Sequence, residues 1–191
     1  MRMRDVVAWA ALAVTATFFL AEWWDAGVCP AAAADLLFLE HALMVALLSV
    51  AVVTDIRARV IPNAVSVGIV ALHAVGMPVV AACGGVALAS AVAESAVGAV
   101  VLGGGLFAFT VAYEALRGGE AMGGGDLKLV AALGFAFGIA DGAASLFAAC
   151  VAFALAMGAK TLVAALCRRP APANGPFAPA LAVGAFLVMI G

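Results

Sequence analysis

Apolar runs broken by charges or by Gly/Pro clusters divide the chain into seven stretches, at roughly residues 6 to 24, 36 to 54, 60 to 80, 87 to 115, 127 to 140, 143 to 166 and 177 to 191. None alternates apolar and polar positions as a barrel strand does, and backbone in hydrocarbon must satisfy its own hydrogen bonds, so each stretch predicts a helix. A helix needs about 20 such residues to cross a bilayer. The expected fold is therefore all-α: a polytopic transmembrane bundle of about seven helices. Residues 1–35 form an N-terminal transmembrane helix and outward loop, and residues 36–191 a six-helix membrane domain.

Composition agrees with this pattern. Of the 191 residues, 68% are hydrophobic and 10% charged, with a mean hydropathy of +1.24, against roughly half apolar and a quarter charged in soluble domains. Nine Lys and Arg against eleven Asp and Glu leave a net charge of −2. That provides neither a nucleic-acid footprint nor a polybasic membrane patch, so membrane lipid is an expected partner and nucleic acid is not.

The basic residues are one-sided. Arg2 and Arg4 precede the first stretch, Arg57 and Arg59 follow the second, Arg117 and Lys128 flank the loop after the fourth, and Lys160, Arg168 and Arg169 close the sixth. Alternating spans put all nine on one face, while the opposite loops carry Asp25, Asp35 and Asp141. Lys and Arg concentrate on the cytoplasmic side, which predicts an N-terminus inside and a C-terminus outside. Met1-Arg2-Met3-Arg4 before an apolar run also suits a signal peptide cleaved near Ala31 to Ala34. The length of that run and its end at Trp23 and Trp24 favour a retained span.

Ionisable residues in or at the edge of spans are expensive, and so are functional candidates by default. Asp55 ends the second stretch and Asp126 opens the fifth, within Met122-Gly123-Gly124-Gly125-Asp126-Leu127-Lys128-Leu129. Both fall on the basic side at similar depth, where neighbouring helices can bring the carboxyls together as an aspartyl protease requires. Two such carboxyls cannot both ionise, so one acts as base toward water and the other as acid toward the scissile carbonyl, with no cofactor and no metal. Gly123, Gly124 and Gly125 permit positive φ and close approach of a substrate strand, acting as a hinge, or else form a flexible turn before a helix. Taken singly, Asp126 also suits a helix cap, and Asp55 an edge charge balanced by Arg57 or Arg59.

These residues carry a family resemblance. Gly123 to Leu129 resembles the GxGD motif, often GxGDxKL, of type IV prepilin peptidases, and Asp55 followed by Ile61-Pro62-Asn63 resembles their first-aspartate motif. Gly175 to Ala185 looks like the family's proline-rich approach to the last helix, with Ala178 where Gly is common. The resemblance implies a multi-pass aspartyl endopeptidase of the bacterial inner membrane. Such an enzyme cuts the short basic leader from prepilins or pseudopilins after a glycine, on the cytoplasmic side, with Asp55 and Asp126 catalytic. The paired CxxC motifs of the longer, methylating members are absent, so the chain looks like the short branch serving tight-adherence (Flp) pili.

Other polar residues carry weaker expectations. Lys128, two positions after Asp126, points away from that carboxyl and suits an anchor to the helix end or to lipid phosphate. Pro62 suits a first helical turn, and Asn63 either orients Asp55 or substrate, or caps a helix. Glu114 and Glu120 flank Arg117 where a basic leader would approach. Glu40, His41, His73 and Glu94 share the outer depth, where each pairs singly or snorkels, or all form one cluster. Of the four cysteines, Cys150 and Cys167 form no CxxC pair with any other, and Cys29 and Cys83 fall in outward loops where a disulfide is possible. From another class, a proton-coupled transporter also uses intramembrane carboxylates, though nearer the bilayer centre.

Overall fold

A computed structural model describes residues 31–83, 85–118, 122–170 and 175–190. The expected span at 6 to 24, the basic pair Arg2 and Arg4, and any Cys29–Cys83 bridge lie outside the described residues.

The chain forms α1 (Ala31–Ala58), α2 (Asn63–Cys83), α3 (Leu88–Gly98), α4 (Gly105–Arg117), α5 (Gly124–Leu166) and α6 (Ala178–Ile190). A π-helical turn, Ala99–Gly104, joins α3 to α4 as one rod, so the described residues hold five helical elements and no strand. Phe38–Ala58, Leu88–Arg117 and Gly124–Leu166 are long and apolar enough to cross a membrane, and Asn63–Val79 and Ala178–Ile190 are shorter apolar helices. The described residues are thus all-helical, with helices suited to a membrane. The expected count of seven is not confirmed: the first stretch lies outside the described residues, and those at 60 to 80 and 177 to 191 form the shorter helices.

A straight 43-residue helix would be about 65 Å long, twice the thickness of a bilayer core. α5 avoids this at Gly138, whose φ of 72° and ψ of −164° are open only to glycine. Residues eight apart on a straight helix are about 12 Å distant, yet a Cβ on Gly142 would lie 3.4 Å from Gly134 Cα. The chain therefore doubles back, and residues 124–137 and 139–166 run side by side as two arms. The sequence pattern places this break at Asp141 and Gly142; the structure moves it to Gly138.

Close approaches between elements fix their directions. Gly68 meets Leu47 and Gly76 meets Glu40, so α2 runs antiparallel to α1. Gly98 meets Gly134 and Gly103 meets Ala131, so the α3–α4 rod runs antiparallel to the first arm of α5. Gly175 meets Met157 and Gly184 meets Ala149, so α6 runs antiparallel to the second arm. This alternation gathers Arg57, Arg59, Arg117, Lys128, Lys160, Arg168 and Arg169 at one end of the bundle, with Asp55 and Asp126. The core between helices holds Met44, Leu48, Ile69, Leu129 and Leu181, while Val75, Phe147 and Leu155 face outward, as lipid permits.

At the opposite end, His73 Nδ1 lies 2.8 Å from Glu40 Oε1 and His73 Nε2 lies 3.4 Å from Ser95 Oγ, all three residues buried. Phe135 packs edge-on against the His73 ring. Glu40 and His73 therefore pair inside the bundle rather than snorkel, because burial leaves each with no water to reach. Glu94 is exposed and sits beside Gly138.

Candidate active site

Asp55 lies in the last turn of α1, which ends where Arg59 turns to a φ of 55° and donates its N–H to the Asp55 carbonyl at 3.0 Å. Its side chain is buried, and Oδ2 accepts the backbone N–H of Ala178 at 3.0 Å. That donor is available because Ala178 is the first residue of α6, where helix N–H groups have no intrahelical partner. Asp126 lies in the first turn of α5, its N–H bonded to Gly123 O at 3.1 Å. Asp126 Oδ1 is buried with no hydrogen-bond partner, and the carboxyl interacts electrostatically with that of Asp55. Two carboxyls from different helices thus lie at the same end of the bundle, one held by a backbone donor and the other with a buried, unsatisfied oxygen. Such a pair has the means to pass protons to and from a water or a polarised carbonyl.

The glycine run does not use the positive φ that glycine permits. Gly124 and Gly125 are the first helical residues of α5, and Gly123 is extended at φ −66°; positive φ occurs instead at Gly85, Gly118 and Gly138. What the site requires of Gly125 is absence of bulk, since a Cβ there would lie 3.1 Å from Ile61 Cβ, whereas one on Gly124 would meet nothing within 4 Å. Gly125→Val should therefore lower the thermal midpoint of the detergent-solubilised protein by several degrees, consistent with about 1–3 kcal/mol for overpacking. Gly124→Ala should leave it in place. Equal midpoints for the two variants would show that the Ile61 contact does not constrain this turn.

Lys128 anchors a helix end. Its Nζ donates to Asn63 Oδ1 at 2.9 Å, tying the start of α5 to the start of α2. Asn63 is the first residue of α2 and does not contact Asp55 through this amide oxygen; Pro62 precedes the helix and accepts the Val65 N–H at 3.0 Å. Glu114 and Arg117 end α4 at the same end of the bundle, and Glu120 lies outside the described residues. Among the described residues no three His, Cys, Asp or Glu side chains are grouped to hold a metal.

The Ala178 N–H is the element of the site that sequence reasoning missed. Its signal was present in Pro176 and Pro179, which mark a helix start and hence a set of free backbone donors.

No curated protein and no solved structure matches the chain. The model of the type IV leader peptidase family matches residues 42–158, more than half of the chain and a span that includes both Asp55 and Asp126. By this match and its apolar helices, the chain belongs to the type IV leader peptidase family, and is a membrane peptidase.

Proposed function

We propose that Asp55 and Asp126 are the catalytic pair of an aspartyl endopeptidase that removes the short basic leader of prepilins or pseudopilins, cutting after a glycine. The observation that carries this reading is that both aspartates fall in helix-terminal turns at the basic end of the bundle, Asp55 buried and Asp126 with a buried, unpartnered carboxyl oxygen. By the preference of Lys and Arg for the cytoplasmic side, that end faces the cytoplasm of a bacterial inner membrane, with seven helices and the N-terminus inside. Of the family's branches, the one serving tight-adherence pili is the branch this reading favours. Terminal helix turns are a poor place for the proton relay of a transporter, whose carboxylates lie toward the bilayer centre.

In this mechanism the pair shares one proton. Asp55, with an N–H already directed at Oδ2, suits the base that takes a proton from the attacking water. Asp126 then donates to the carbonyl oxygen as negative charge develops there, and protons pass on to the leaving amine. Gly123 and Gly124, exposed beside Asp126, leave room for an extended substrate backbone.

The purified full chain should cleave a peptide made of a basic leader, a glycine and an apolar segment, and cleavage should persist in excess EDTA because the carboxyls activate water themselves. Failure to cut after the glycine would overturn the substrate assignment. A loss with EDTA that zinc restores would overturn the metal-free mechanism.

A further inference from the structure

We propose that Lys128 and Asn63 act as one positioning pair for peptide cleavage, clamping the turn after Asp55 onto the helical turn that carries Asp126. The proposal rests on the reading of these aspartates as the cleavage site. Both lie in terminal turns, the last of α1 and the first of α5, where a helix has fewest hydrogen bonds of its own and frays most readily. A dyad nevertheless has to hold its carboxyls within about half an ångström of the productive geometry.

The fold supplies two ties across this weak point. Ile61 is buried against Gly125, one residue before Asp126, and Lys128 Nζ donates to Asn63 Oδ1, two residues after it. Ile61 and Asn63 belong to the short turn between Asp55 and α2, so the two ties bracket Asp126 and bind it to the segment that leaves Asp55. The apolar tie restricts approach but not sliding; the hydrogen bond sets the register. It is exposed, so removing it costs little global stability, and its effect falls on geometry.

The experiment is a double-mutant cycle on the purified full chain, with a synthetic peptide of basic leader, glycine and apolar segment as substrate. Lys128→Met and Asn63→Ala should each lower kcat roughly 10- to 100-fold, the loss expected for a misplacement of about 1 Å, with KM changed less than about twofold. The double variant should be no slower than the slower single one, since both remove the same bond. Lys128→Arg and Asn63→Asp, which keep a donor and an acceptor, should retain most of the rate. Thermal midpoints should stay within about 2 °C of the parent.

Additive losses, or full activity in Asn63→Ala, would overturn the pair and leave Lys128 acting on substrate or on lipid phosphate. A rise in KM at constant kcat, or a fall in midpoint that tracks the loss of rate, would overturn it as well. Failure of the underlying site assignment has a different signature: Asp55→Asn and Asp126→Asn would then cleave in the same assay.

Discussion

Asp55→Asn and Asp126→Asn should each lower cleavage by at least the roughly 10²–10⁴-fold that a positioned acid or base contributes, with both variants inserted and folded. Asparagine is nearly isosteric with aspartate, so the packing of each site survives. At position 55 the amide oxygen can still accept the Ala178 N–H, which keeps α6 seated against α1. The base that would take a proton from water is gone. At position 126 the amide offers N–H donors near the buried oxygen but no acidic proton to pass on. Leader cleavage by purified variants in one detergent, with thermal midpoints measured on the same samples, checks both losses. Asp141→Asn is the control: Asp141 is exposed, three residues beyond the reversal at Gly138 and at the other end of the bundle, and its variant should stay active. Substantial cleavage by either site variant would remove that aspartate from the dyad.

The largest effect on stability is expected at Gly98. A Cβ there would fall on Gly134 O and lie 2.7 Å from Gly138 C, which are backbone atoms that no rotamer change can move. The facing Gly134 is equally constrained, its Cβ 2.7 Å from Gly98 O. In lipid no hydrophobic force drives helices together, so close contact through small residues holds α3 against the first arm of α5. Gly98→Val should therefore cost about 3 kcal/mol or more, the upper end of what overpacking costs, and lower both the thermal midpoint and the yield of folded protein. Gly105→Ala provides the contrast on the same rod. Its φ is −61° and a Cβ would meet nothing within 4 Å, so it should be neutral or stabilising by about 0.4–1 kcal/mol. An unchanged midpoint for Gly98→Val would mean that the two helices do not cross at these glycines.

Helix existence, the one-sided placement of charge and the candidacy of Asp55 and Asp126 were all legible along the chain, and for one physical reason. In lipid each segment satisfies its backbone hydrogen bonds within itself, so where a helix starts and stops is a local property of apolar length and of the charges and glycines that interrupt it. Counting segments then suffices to place two distant carboxyls at the same end. Tertiary structure decided everything that depends on which helix neighbours which. The bonds from His73 to Glu40, from Lys128 to Asn63 and from Ala178 to Asp55 join residues 33, 65 and 123 positions apart, and no periodicity encodes such a choice. The same holds for the glycines. Gly123, Gly124 and Gly125 read alike in sequence, but Ile61 makes only Gly125 sterically demanding, and the reversal of α5 falls at Gly138 rather than beside Asp141. A glycine's role is set by the atoms that would meet its missing side chain, and those belong to other helices.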